Sequence, residues 1–182
     1  MEQNVAKRVP YGIQDFVQVI EQNCYYVDKT AYIPKLEDCP NNLFCIRPRR
    51  FGKSVFLSML HAYYDCRTKD KFQEWFGNLW IGKHPTPLQG RYQVMHLDFS
   101  QVGGSIENLE EKFNFYLGVQ LNGFIRDYLD FYSEKVQKQV EDAKDAGGKL
   151  AIIQSEARSK GYPLYLIIDE YDNCLLYTSP SP

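Results

Sequence analysis

Gly52-Lys53-Ser54 is the part of this 182-residue chain with the plainest chemistry. A phosphate-binding loop of the form G-x-x-x-x-G-K-S/T cradles phosphates with backbone N–H groups. Its lysine reaches the β- and γ-oxygens, and its hydroxyl ligates Mg²⁺. Arg47-Pro48-Arg49-Arg50-Phe51-Gly52-Lys53-Ser54 meets the pattern except at its first position, where Arg47 stands in place of glycine. A Gly-Lys-Ser/Thr triplet arises by chance in about one chain in ten of this length, so the flanking elements must decide. Leu43-Phe44-Cys45-Ile46 reads as a short buried parallel strand with Cys45 inside it, and Val55, Phe56, Met59, Leu60 and Tyr63 follow at helical spacing. A helix opening at Gly52 points N–H groups and the positive end of its dipole toward an anion held by the loop. The binding candidates are therefore Arg50, Phe51, Gly52, Lys53, Ser54 and Val55.

A second constellation stands near the C-terminus, where the apolar run Leu164-Tyr165-Leu166-Ile167-Ile168 ends in Asp169-Glu170. A carboxylate closing such a strand can hold a phosphate-bridging Mg²⁺, and a glutamate beside it can polarise an attacking water. Asp169 is thus the metal candidate together with Ser54, and Glu170 is the general-base candidate together with Lys53 as the charge-neutralising group. Val94-Met95-His96-Leu97-Asp98 is a rival run, but no second carboxylate follows Asp98, which reads as a strand-end turn residue. His61, His84 and His96 have no ligand or triad partners at recognisable spacing and are assigned no chemistry.

The elements that must position these residues alternate along the chain. Ile13, Phe16, Val17 and Ile20 suggest a first helix, and Asp28 caps a second carrying Tyr32, Ile33 and Leu36. Phe72, Trp75 and Phe76 form an aromatic helical face closed by Gly77, ahead of a strand over 92–100. A long helix carries Ile106, Leu109, Phe113, Tyr116, Phe124, Tyr128 and Phe131; an exposed helix continues over 133–144 until Gly147-Gly148 breaks it. A last helix over 150–158 closes at Gly161 and Pro163.

Composition sets bounds. With 44% hydrophobic and 24% charged residues the chain is globular, and no apolar run approaches the roughly 20 residues of a membrane span. No signal-peptide h-region opens it, so the expected location is the cytoplasm. The five cysteines show no zinc spacing and read as reduced thiols. A net charge of -2 argues against a nucleic-acid surface over the whole chain, the one basic cluster being Arg47, Arg49, Arg50 and Lys53.

Taken together, Arg8-Val9-Pro10-Tyr11-Gly12-Ile13-Gln14-Asp15-Phe16, Tyr25-Tyr26-Val27-Asp28-Lys29-Thr30, the 47–54 loop, Leu97-Asp98-Phe99-Ser100 and Ile168-Asp169-Glu170-Tyr171-Asp172 resemble the bacterial AAA-ATPase-like family. The resemblance implies a P-loop ATPase domain usually followed by a nuclease-like domain of the PD-(D/E)XK type. It also makes Arg47 a family variant, and Tyr11, Gly12 and Ile13 candidates for an adenine pocket. Alternation of helix and strand argues for an α/β fold. The resemblance specifies it as the three-layer P-loop NTPase parallel sheet with helices on both faces, truncated after the Walker B strand.

The expected organisation is a helical segment over 1–40, an incomplete P-loop core over 41–173, and a non-native or disordered tail over 174–182, making the chain an N-terminal fragment. The expected function is ATP binding, with Mg²⁺-dependent hydrolysis in the complete protein. Nucleic acid enters as a partner only through an absent C-terminal domain, no membrane is involved, and the sequence is silent on oligomeric state. The alternatives are a non-hydrolysing nucleotide switch or interaction module and a small-molecule kinase.

Overall fold

The computed structural model describes residues 6–40, 42–46, 51–101 and 109–170. The chain divides into two compact units, Met1–Gly90 and Arg91–Pro182. The division falls within the segment that the sequence reading treats as one core.

The first unit is helical. Helix α1 (Phe16–Glu21) begins where Asp15 accepts a hydrogen bond from the Gln18 N–H, which satisfies one of the donors a helix start leaves over. The other Asp15 oxygen accepts from Ser58 Oγ at 2.8 Å, and Ser58 Oγ in turn accepts from the Phe16 N–H at 3.0 Å. One carboxylate thus caps α1 and fastens it to α3 (Lys53–Tyr64). Asp15→Ala removes both interactions, and the expected loss is about 2 kcal/mol of stability, read from urea unfolding. A change below a few tenths would contradict this role.

Between α1 and α3, a 3₁₀ turn (Thr30–Tyr32) leads into α2 (Ile33–Glu37). After α3 come a 3₁₀ stretch (Cys66–Lys71), α4 (Phe72–Phe76) and α5 (Trp80–Lys83). Their shared core includes Phe16, Ile33, Met59, Tyr63, Phe76 and Ile81, all fully buried. Phe16 stacks on Phe76 at 4.9 Å between ring centroids, and Tyr63 meets the edge of Phe76 at 5.6 Å. As the spacing predicts, α3 buries Phe56, Met59, Leu60 and Tyr63, and α4 ends at Gly77.

The second unit mixes helix and strand. Strands β1 (Gln93–Asp98) and β2 (Leu164–Asp169) pair in parallel, with Gln93 opposite Leu164 and Asp98 opposite Asp169. Parallel neighbours need a long crossover, and here the connection carries α6 (Leu109–Asp127), a 3₁₀ turn (Leu129–Phe131), α7 (Glu134–Asp142) and α8 (Ala146–Ser159). The Tyr128 hydroxyl accepts from the Val94 N–H at 2.7 Å and lies 3.3 Å from the Val94 carbonyl, while the Tyr132 hydroxyl donates to Gln93 Oε1 at 2.6 Å. These two tyrosines hold β1 against the helical layer. Gly161, in the left-handed region at φ 76°, closes α8: its N–H reaches the Arg158 carbonyl, and the Tyr162 N–H reaches Ala157.

Two expectations differ from the structure, and a third holds in its coarser form. Leu43–Ile46 is not a buried strand: Leu43, Phe44 and Ile46 are 47, 77 and 87% exposed, and Cys45 is exposed as well. A strand needs a neighbour to take its backbone groups, and among the described residues no strand pairs with this run. Gly147-Gly148 does not break a helix but lies in the first turn of α8, where Asp145 caps the turn through the Gly148 N–H. The described sheet is a parallel pair, a mixed α/β arrangement coarser than the three-layer sheet expected.

Candidate functional site

Gly52 opens α3 in the left-handed conformation, φ 73° and ψ 31°. Glycine reaches that region without the Cβ clash that disfavours it for other residues. The Gly52 carbonyl accepts the first intrahelical bond from the Phe56 N–H at 3.1 Å, so Lys53, Ser54 and Val55 form the opening turn. The N–H groups of such a turn have no acceptor within their own helix and carry the positive end of its dipole. The sequence triplet therefore opens a helix, with Gly52 at its N-cap and Lys53 and Ser54 in its first turn. Phe51 is 64% exposed, whereas Gly52, Lys53, Ser54 and Val55 are half-buried. Arg47, Arg49 and Arg50 lie outside the described residues.

Beside this turn is a cleft of about 150 Å³ lined by Pro10, Ile13, Val19, Tyr25, Tyr26, Val27, Lys29, Gly52, Val55 and Phe56. Two extended stretches build its outer wall: the Arg8 N–H donates to the Asn23 carbonyl, and the Tyr25 N–H donates to the Arg8 carbonyl. Burial, reinforced by the charge of Asp28, pushes the Tyr26 phenol well above its ordinary range, so it stays protonated at neutral pH. Of the residues expected at an adenine pocket, Ile13 lines the cleft, while Tyr11 is 95% exposed and neither it nor Gly12 lines it. Sequence reasoning quoted Tyr25, Tyr26 and Lys29 as motif residues without giving them a role. Apolar spacing could not do so, because these residues lie in a non-helical segment.

At the far end of α3, Asp65 is 1% exposed. Burial alone would push its carboxyl up, but hydrogen bonds from His61 and Arg67, with the Arg67 charge, together hold it below the usual carboxylate range. Cys66 moves the other way. Its own burial and the neighbouring Asp65 charge raise the thiol to about 11, so it is not a thiolate nucleophile at neutral pH.

In the second unit, Asp169 ends β2 and is 6% exposed. Its Oδ1 accepts the Glu170 N–H at 2.9 Å. Glu170 takes φ 53°, a left-handed conformation uncommon for a residue with a side chain, and such outliers cluster at functional sites. Asp98 ends the neighbouring strand, is exposed, and accepts the Ser100 N–H at 2.9 Å, the turn role read from the sequence. Among the described residues no group of three or more His, Cys, Asp or Glu is gathered to hold a metal ion, and no helix is long and apolar enough to cross a membrane.

A family described as predicted AAA-ATPase matches residues 10–181. An uncharacterized protein of the vnfD 5′ region in Azotobacter chroococcum mcd 1 is 27% identical over 176 residues, which are 93% of this chain and 30% of that protein. The chain thus spans under a third of the length of that curated relative. No solved structure matches it.

Proposed function

This chain belongs to the AAA-ATPase-like family, and on that premise we propose that its first unit binds ATP. The carrying observation is the left-handed Gly52 turn at the start of α3, with Lys53 and Ser54 in the opening turn and a cleft beside them. The base of the nucleotide enters the cleft, against Ile13, Val19 and Val55 and the ring of Tyr26. Backbone N–H groups of Phe51, Gly52 and Ser54 bind the phosphates, with Arg50 and Val55 flanking them. Lys53 neutralises charge on the β- and γ-oxygens.

The residues present fit a Mg-nucleotide, because Mg²⁺ characteristically takes one or two protein oxygens and completes its shell with phosphates and water. The oxygen candidate in the first unit is Ser54, and the carboxylate candidate in the second unit is Asp169. Bound Mg²⁺ supplies charge neutralisation at the phosphates. Glu170 orients and deprotonates the attacking water, a role supported by its left-handed backbone just past the carboxyl end of a parallel strand, where α/β sheets commonly bind ligands. Hydrolysis is proposed for the complete protein. The three-layer parallel sheet with helices on both faces is likewise a proposal, supported by the parallel pairing of β1 with β2.

Ligands that bind only the folded state stabilise it by RT ln(1 + [L]/Kd), about 2.7 kcal/mol at a hundredfold excess over Kd. Thermal unfolding with millimolar Mg-ATP is therefore expected to shift the midpoint up by several degrees. An unchanged midpoint would count against nucleotide binding.

A further inference from the structure

Lys29 stands in an unusual place for a cation. Its Nζ lies 3.5 Å from where a Cβ on residue 52 would be, so the ammonium borders the open face of Gly52. That space is at the N-terminus of α3, whose dipole already presents positive charge, and next to Lys53. A cation is disfavoured at this end of a helix unless an anion lies between them. The same lysine also lines the cleft.

The residues on either side of Lys29 in sequence are both anchored. Asp28 Oδ1 accepts from the Thr30 N–H at 2.8 Å and from the Thr30 hydroxyl at 2.7 Å, while its Oδ2 accepts from the Trp80 N–H at 2.7 Å. Thr30, fully buried, accepts the Ile81 N–H at 3.1 Å through its own hydroxyl. Asp28 and Thr30 are thereby fixed to the first residues of α5. Both Asp28 oxygens are engaged by backbone and hydroxyl donors, and among the described residues Lys29 is in no recorded ion pair.

We propose that Lys29 is a second phosphate-binding lysine, which contacts the nucleotide's phosphates on the side facing the cleft, nearer the nucleoside than Lys53. The proposal rests on the nucleotide reading above. Asp28 and Thr30 are positioning residues that set the height of the ammonium over Gly52. The ligand class is a nucleoside di- or triphosphate, because the phosphates nearest the nucleoside are common to both.

The test is calorimetric titration of Mg-ATP and Mg-ADP into the wild-type chain, Lys29→Gln and Lys29→Arg, with ligand-free melting of each. Loss of one charge-assisted contact predicts that Lys29→Gln binds both nucleotides about tenfold or more weakly, with Lys29→Arg close to wild type. Unchanged affinity in Lys29→Gln, a loss confined to Mg-ATP, or equal loss in both variants would overturn the proposal. If Lys29→Gln melts lower without ligand, the arginine variant decides: retained affinity supports a charge contact, and lost affinity refutes it. Wild-type chain that binds neither nucleotide would instead refute the nucleotide reading itself.

Discussion

Replacing Lys53 with alanine is expected to cut affinity for Mg-ATP by at least about a hundredfold. Each hydrogen bond to a charged group contributes roughly 1.5–3 kcal/mol, and a lysine shared between the β- and γ-phosphates makes two such contacts. The substitution itself is well tolerated by the backbone, since Lys53 is the first residue of α3 and alanine is the best helix former. Its apolar neighbours in the helix, Phe56, Met59 and Leu60, carry the packing. The loss should therefore appear in binding and not in folding, with circular dichroism unchanged and fluorescent-nucleotide titration failing to saturate. A variant that binds within a few-fold of wild type would mean the Gly52 turn is not the phosphate site.

Glu170→Gln is expected to separate binding from turnover in the complete protein. General-base assistance contributes about 10²- to 10⁴-fold to rate, and glutamine keeps the shape and hydrogen-bonding reach of glutamate while losing its basicity. Glutamine accepts the φ 53° backbone no worse than glutamate does, so the local turn at Asp169 should persist. Phosphate release should fall by that factor while Mg-ATP affinity stays within a few-fold. Full turnover in the variant would remove Glu170 from the mechanism. Parallel loss of affinity would assign it to ligand or metal binding.

The parts of this fold that were legible in sequence are those where local chemistry and burial agree. The α3 helix carries apolar residues at a regular spacing and buries them, and glycine at position 52 matches a left-handed turn that other residues avoid. The run ending at Asp169 is a strand because Gln93–Asp98 provides a parallel partner. Leu43–Ile46 is likewise apolar but pairs with no strand among the described residues, and composition alone cannot supply one. Gly147 and Gly148 looked like a break because glycine costs helix propensity. Asp145, one residue before the helix, offsets that cost by capping.

The candidate site was half legible. Lys53 and Ser54 follow from a contiguous motif, but the cleft draws on residues from Pro10 to Phe56, and its shape depends on backbone pairing between Arg8 and Cys24. The Lys29 position was out of reach for the same reason. It depends on Asp28 and Thr30 bonding to Trp80 and Ile81, a contact between segments far apart in sequence.

Calorimetric titration of Mg-ATP into the folded wild-type chain tests the central claim most directly. Saturable binding near one nucleotide per chain is the predicted result. A folded chain that releases no heat of binding with millimolar Mg-ATP, at two temperatures chosen so that a zero enthalpy cannot hide the interaction, would contradict it.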